Sequence, residues 1–251
     1  MRGTTITADV KWASIRFARR HGWSVRRFDP WATLPDYLHH ILFPSFGVNC
    51  VLDVGAHRGE FAQTLRDVGY DGAIASFEPV PVSYQALEER AARDDQWRTF
   101  AYALGATDDT GRINVMEGTT YSSFRSPRSE GVEDYVAWGN VVQGTAEIEV
   151  RRLETVFEEV TAGIAEPVVF LKMDTQGWDL EVFRGARSCL ERIPLLQSEM
   201  SVRPIYDRMP DFREALTAYE EHGYAISALY PVGRDQQFRL AEFDCVLVRT
   251  G

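Results

Sequence analysis

The stretch VLDVGAHRGEF, Val51 to Phe61, decides the fold. Val51-Leu52-Asp53-Val54 reads as a buried strand. Gly55 then supplies a tight turn, and after Gly59 the apolar residues recur at helical spacing. A strand, a glycine turn and a helix start form the unit in which a parallel α/β sheet holds a nucleotide. The spacing is Asp-x-Gly-x-x-x-Gly, not the Gly-x-Gly-x-x-Gly of a pyrophosphate-binding turn. No Gly-Lys-Ser/Thr follows, which excludes a phosphate-cradling loop.

Outward from this unit the chain alternates. Strands are predicted at Cys50–Val54, Ala73–Phe77, Arg98–Leu104, Val168–Met173, Leu195–Glu199, Ala225–Tyr230 and Cys245–Arg249. Helices fit at Glu60–Val68, Val82–Arg93, Leu180–Arg192 and Asp211–His222. Strand, helix, strand, helix implies a mostly parallel sheet covered on both faces. The alternation breaks for about 60 positions before Val168, in an insertion at about 112–150 that holds a polar and aromatic stretch from Gly118 to Gly144. Such a segment suits a lid or binding loop. The last two strands are joined without a helix, through PVGRDQQFRLAEF, so a hairpin-like antiparallel edge strand is expected. Residues 1–45, with helices predicted at Ala8–His21 and Leu34–Leu42, form an N-terminal helical extension to a domain at 46–251.

The chain has 251 residues and a formal charge of −10. That acidity argues against nucleic acid as a partner, because phosphates need a basic footprint. Lys11, Arg16, Arg19, Arg20, Arg26 and Arg27 make one basic stretch that reads as a solvated face. Cys50, Cys189 and Cys245 have neither disulfide nor zinc spacing and read as small buried hydrophobes. No apolar run is long enough to cross a bilayer, and no signal-peptide core stands at the start. The expectation is a cytoplasmic protein without a transmembrane segment, with homo-oligomerisation left open.

The site residues follow from strand ends. Glu78, after Phe77 in SFEP, stands 25 positions beyond Asp53, where an acid can accept both ribose hydroxyls. A ribose partner without a pyrophosphate pocket fits S-adenosylmethionine, with its charged amino group near Asp53 and the Gly55 turn. Gly59 lets the helix approach, and His57 either touches the cofactor or braces the turn. His21 and His222, each before a glycine, read as helix C-terminal residues. In VVFLKMDTQGWDLEVFRGA an apolar strand ends at Asp174. A right-handed crossover makes its strand the neighbour of the one ending in Glu199. Two carboxylates there suit a general base with an orienting partner, or a shared divalent cation, so metal dependence stays open. Tyr121, Ser122, Ser123, Tyr135 and Trp138, with Gln176 and Trp178, form an aromatic and polar set suited to a polar ring substrate.

The pieces VLDVGAHRGEF, SFEPVP, YALG, YSSF, LKMDTQGWDLEVFRGA and LLQSEMS, in this order, resemble the FkbM family of S-adenosylmethionine-dependent methyltransferases. The resemblance runs from position 50 to the final FDCVLVR, about 200 residues. It implies the class I methyltransferase (Rossmann-like) fold, a seven-stranded, mostly parallel sheet with helices on both faces and its last strand antiparallel. It implies methylation of hydroxyl oxygens, often on sugars or secondary metabolites. By position, Asp53, Gly55, His57, Glu78, Ala103 and Leu104 would contact cofactor. The chain departs from the family in having His57 where Asn is common, and Gln176 where Glu is common.

The sequence therefore predicts an S-adenosylmethionine-dependent O-methyltransferase. Its acceptor would be a small molecule or glycan: a sugar, a glycolipid or polysaccharide, or a glycosylated natural product. Asp174 is the first candidate for the base and Glu199 the second. The alternatives are a metal-dependent enzyme acting on a non-sugar, a non-catalytic cofactor-binding homologue, and an NAD-dependent oxidoreductase, which the glycine spacing disfavours.

Overall fold

The computed structural model describes residues 17, 20, 21, 28–117, 122–128 and 141–250. Most of the N-terminal helix and basic stretch lies outside these residues, as do Tyr121, Tyr135 and Trp138.

Seven strands form one sheet. They are β1 (Cys50–Val54), β2 (Ala73–Phe77), β3 (Trp97–Phe100), β7 (Val169–Met173), β8 (Leu195–Ser201), β9 (Tyr224–Arg234) and β10 (Leu240–Arg249). A three-stranded sheet holds β4 (Ala103–Leu104), β5 (Asp109–Met116) and β6 (Val142–Arg151). The principal helices are α1 (Glu60–Asp67), α2 (Pro81–Ala91), α3 (Leu153–Val160), α4 (Asp179–Arg184) and α5 (Phe212–Glu220). The large sheet runs β3-β2-β1-β7-β8-β10-β9, and only β10 is antiparallel to its neighbours. This is the class I methyltransferase arrangement, with the order reversing between β1 and β7. Ligands of open α/β sheets sit at such a reversal.

β1 and β7 are buried along their whole length, which is why both read as continuous apolar runs. Strand side chains alternate between faces. Cys50, Leu52 and Val54 join one core cluster with Leu171 and Met173. Val51 and Phe170 join the other, with Ala62 and Leu65 of α1. Tyr37, Leu38, Leu42 and Phe43 belong to that second cluster, so the helical turns at 34–46 are part of the sheet's own core. Pro44 does not end them, because it stands in the first turn of Phe43–Phe46, where a missing N–H costs nothing.

Four local expectations are corrected. The antiparallel strand is not the edge. β10 carries the wholly buried run Cys245–Leu247 and lies inside, while β9 exposes Ile226, Leu229 and Val232 and takes the edge. The predicted strand Arg98–Leu104 divides after Phe100, and Ala103–Leu104 pair with Val150–Arg151 of the small sheet. The predicted helix Leu180–Arg192 breaks at Gly185, whose missing side chain admits the Gly105 carbonyl; a Cβ there would lie 2.0 Å from that oxygen. A 3₁₀ turn follows at Arg187–Arg192. The insertion is also less irregular than expected, because β5 and β6 make a paired ladder from Asp109↔Val150 to Met116↔Val142.

All three cysteines are free and buried. His21 and His222 each place Nδ1 2.9 Å from the carbonyl four residues earlier, as helix-end residues do. No helix among the described residues is long and apolar enough to cross a membrane.

Candidate active site

Sheet register assembles the site. Val54 is level with Phe77 on one side and Met173 on the other, so the next residues, Gly55, Glu78 and Asp174, emerge together. Backbone bonds fix all three: Gly55 N–H to the Phe77 carbonyl, Glu78 N–H to Phe100, and Asp174 N–H to Val54, each 3.1 Å. Gly55 has φ +76°, and an added Cβ would lie 2.0 Å from the Asp174 carbonyl oxygen. Only glycine fits where two strand-end loops touch in this way.

These ends open into a cleft with about 540 Å³ of empty space. Its lining includes the apolar Phe77, Val80, Ala103, Leu104 and Ile113 together with Glu78. Gly55, His57, Asp174, Thr175, Gln176 and Trp178 line it as well, and Ser122 and Phe124 reach it from the insertion. No lysine or arginine lines it among the described residues.

Glu78 is 6% exposed, and its carboxylate accepts the His57 N–H at 2.9 Å and the Val80 N–H at 2.8 Å. Burial pushes its carboxyl up to about 7 against the pull of those two donors. Each oxygen keeps a lone pair for a hydroxyl donor. His57 adopts φ +49° beside the turn, with Nδ1 3.3 Å from Glu60. Burial lowers its imidazole below the usual histidine range, partly offset by Glu60.

Asp53 and Gly59 do not line the cleft. Asp53 is fully buried beneath it, 2.9 Å from the Lys172 ammonium, and accepts from the Ser76 hydroxyl at 3.3 Å. Gly59 is a packing glycine, since a Cβ there would meet Trp97 at 2.8 Å and Leu87 at 2.9 Å.

Asp174 and Glu199 lie level on adjacent strands, because Met173 pairs with Ser198, but only Asp174 follows a strand end. β8 runs on to Ser201, so Glu199 sits inside its strand and not at the end predicted for it. Their surroundings differ. Asp174 has a 38% exposed side chain in the cleft, with Lys172 3.4 Å away. Glu199 lies behind Gln176, facing a separate small cavity, and accepts the Gln176 amide at 3.0 Å. Burial, then the charges of Asp174, Glu242, Asp244 and Asp179, push its carboxyl well above the ordinary range. That favours the protonated acid, a poor proton acceptor. Among the described residues no three His, Cys, Asp or Glu side chains are grouped to hold a metal ion.

The loop after β7 is clamped. Asp179 accepts from the Thr175 N–H at 2.9 Å and from the Ser198 hydroxyl at 2.8 Å. Gln176, at φ +53°, accepts from the Tyr206 hydroxyl at 3.1 Å. Ser123 donates to the Gln176 carbonyl at 2.8 Å, and Arg125 to the Gly177 carbonyl at 2.8 Å. Ser123 is thus a brace under the loop, 1% exposed, while Ser122 lines the cleft. Trp178 stacks on Phe124 with ring centroids 4.6 Å apart.

Sequence reasoning assigned no role to Lys172 or Tyr206. Lys172 was detectable, because a lysine interrupting an apolar strand needs a partner. It and Asp53 both stand one residue before their strand's last residue. Tyr206 gave no such sign, since it follows β8 in an irregular loop.

The fit to S-adenosylmethionine rests on these features. Glu78 offers a buried carboxylate at a strand end, the lining around Phe77 and Leu104 is apolar enough for a purine, and Gly55 lets the Asp174 loop close against the turn so that both line the cleft.

The chain is 26% identical over 175 residues to the 2-O-methyltransferase NoeI of Sinorhizobium fredii, covering 66% of this chain and 69% of that protein. Distant resemblances in shape extend to the magnesium protoporphyrin IX methyltransferase of Synechocystis, solved with S-adenosylmethionine. There the identity is 9% and the TM-score 0.47, over 99% of this chain and 87% of that one. They extend also to Aeropyrum pernix fibrillarin, at 12% identity and a TM-score of 0.44, over 80% of this chain; this chain spans 66% of the fibrillarin's length. The methyltransferase FkbM domain matches residues 53–226, from the buried acid of β1 into β9 and across every cleft residue described above, and the chain belongs to the FkbM family of S-adenosylmethionine-dependent methyltransferases.

Proposed function

We propose that this enzyme methylates a hydroxyl of a neutral, sugar-like acceptor: a sugar, a glycolipid or polysaccharide, or a glycosylated natural product. The observation that carries the reading is a cleft lined by Glu78 and Asp174 together with apolar residues, and by no cationic side chain among its described lining. An anionic acceptor such as RNA would find no counter-charge there. A neutral polyol finds Asp174, Ser122, Thr175 and the Trp178 ring. The methyltransferase NoeI supports oxygen as the acceptor atom, because its name records 2-O-methylation.

S-adenosylmethionine, when bound, supplies an electrophilic methyl group on a sulfonium. Glu78 would hold the ribose hydroxyls, Phe77, Val80, Ala103 and Leu104 would enclose the base, and the Gly55 turn with His57 would face the methionine end. Asp174 would take the proton of the acceptor hydroxyl, whose oxygen gains the methyl group while the carbon–sulfur bond breaks and the neutral thioether leaves. A sugar hydroxyl is a weak nucleophile until that proton leaves. Glu199 does not share this task. Its role is to hold Gln176, which lines the cleft beside Asp174.

The test is labelled-methyl transfer from S-adenosylmethionine to a panel of neutral glycosides, catechols and RNA, with the product identified by mass spectrometry. Methyl ethers on glycosides are expected. Preference for catechols or RNA would overturn the acceptor class.

A further inference from the structure

A polar row crosses the buried interior of the sheet directly beneath the cleft. Ser76, Asp53 and Lys172 are register partners on β2, β1 and β7, and Lys172 is level with Gln197 on β8. Trp97 Nε1–H donates to the Ser76 hydroxyl at 3.0 Å, which donates to Asp53 at 3.3 Å. At the other end Gln197 donates to Asp244 at 3.1 Å. Lys172 is the cation of this row. It is 3% exposed, and its ammonium lies 2.9 Å from Asp53, 3.3 Å from the Gly55 carbonyl and 3.4 Å from Asp174. The Phe61 ring of α1 covers it, 5.3 Å from the ammonium to the centroid. Burial works against its charge, but Asp53 and Asp174 outweigh burial and hold the ammonium above the ordinary lysine range.

We propose that Lys172 is a positioning residue for methyl transfer, which anchors the Asp174 carboxylate from below so that it faces the acceptor. The reading rests on Asp174 acting in the transfer. Lys172 is the one ion-pair partner of Asp174 among the described residues, and no side-chain hydrogen bond holds that carboxylate. The anchor itself is fixed, because Asp53 is locked in the sheet. Lys172 also donates to the Gly55 carbonyl, but the cofactor turn has supports of its own. Gly55 and Ala56 N–H bond the Phe77 carbonyl at 3.1 and 3.0 Å, and Gly59 N–H bonds Ala56 at 2.7 Å. Lys172 is therefore assigned its action through Asp174, and cofactor affinity tests that assignment. The other titratable groups near Asp174 are His57, Asp179, Glu199 and Asp244; none of them supplies a fixed positive charge, and any of the three acids that ionises repels it. Without Lys172 the carboxylate has no tether.

The test uses Lys172→Met and Asp53→Asn/Lys172→Met. The double variant avoids leaving Asp53 buried and unpaired, the usual reason such a variant fails to fold. Carbodiimide labelling of carboxyls, read by peptide mass spectrometry, reports Asp174 without any acceptor. Asp174 labelling should rise by about fivefold or more once the ion pair is gone. Labelling of exposed Glu158 should stay constant. Calorimetry with S-adenosylhomocysteine should give an affinity within about threefold of wild type, far less than the loss of even one charged hydrogen bond. Methyl transfer to the best p-nitrophenyl glycoside should fall about a hundredfold in kcat, yet Lys172→Met should add nothing to Asp174→Asn. Unchanged Asp174 labelling in a folded variant overturns the proposal. So do additive losses in the double-mutant cycle, or a parallel collapse of cofactor affinity. If neither variant folds, Lys172 is a requirement of the sheet and the positioning role falls. Full activity in Asp174→Asn alone would instead defeat the reading of Asp174 as base, whatever Lys172 does.

Discussion

Consider cofactor affinity measured by calorimetry with S-adenosylhomocysteine, in wild type and Glu78→Gln, from about pH 5 to about pH 9. Glu78 binds ribose hydroxyls best as a carboxylate, and burial pushes its carboxyl up to about 7. The sign follows directly. Above that value the group is ionised and affinity is at its plateau; below it the proton must be displaced before the ribose can bind. Two units below, about one carboxyl in a hundred is ionised, so affinity falls by up to about a hundredfold, about 2.7 kcal/mol. Glu78→Gln should lose a comparable amount at high pH, about 3 kcal/mol for two charge-assisted bonds. It also turns an amide donor toward His57 N–H or Val80 N–H, both of which now donate to the carboxylate. The variant should therefore be weak at every pH and lack the slope between about pH 5 and pH 7. A flat wild-type profile, or a slope that survives in Glu78→Gln, would refute the assignment of the ribose to Glu78.

Gly55→Ala should destabilise the fold by on the order of 3 kcal/mol in a denaturant melt and abolish cofactor binding, because the added methyl meets the Asp174 backbone at a positive φ. Asp174→Asn should reduce methyl transfer by about a thousandfold while S-adenosylhomocysteine still binds, as stopped assays beside calorimetry would show. Tyr206→Phe leaves one Gln176 bond unmade, so stability should fall by about 1 kcal/mol and turnover by about tenfold, with cofactor affinity unchanged. Activity should survive dialysis against a chelator, since a cation bridging Asp174 and Glu199 would have to displace Lys172 from one and Gln176 from the other. Loss of activity restored by magnesium would overturn that expectation.

What was legible in the sequence was whatever a periodic pattern or a strand end encodes locally. β1 and β2 have the predicted bounds because both are apolar runs closed by a turn residue and an acid. Glu78 and Asp174 reach the cleft because strand register, a short-range consequence of parallel pairing, brings their strand ends level. Gly59 reads as a glycine of close helix approach, but the partners that require it, Leu87 on α2 and Trp97 on β3, are not written beside it in the sequence. Asp53 was misread because an acid one residue short of the strand's end faces α1 and not the cleft. The alternation of the strand contained that answer, and so did the lysine at the matching position of β7. The helix break at Gly185 was invisible for a different reason. It depends on the approach of Gly105, 80 positions earlier, and nothing in the local helical pattern reports a contact of that kind.

The two candidate carboxylates show why residue type and position do not settle a role. Asp174 and Glu199 lie level on neighbouring parallel strands, Asp174 just past the end of β7 and Glu199 within β8. What separates them is the next ring of groups. Asp174 meets the ammonium of Lys172 and opens to the cleft. Glu199 meets Gln176, has Asp244 as its register partner on β10, and feels Glu242 and Asp179 as well. A buried carboxyl surrounded by other carboxylates takes up a proton and becomes a hydrogen-bond partner. Burial and the charges of Asp174 and Glu242 do most of this at Glu199, and the antiparallel insertion of β10 between β8 and β9 adds Asp244 opposite it. That difference in surroundings is what favours Asp174, and not Glu199, as the proposed base.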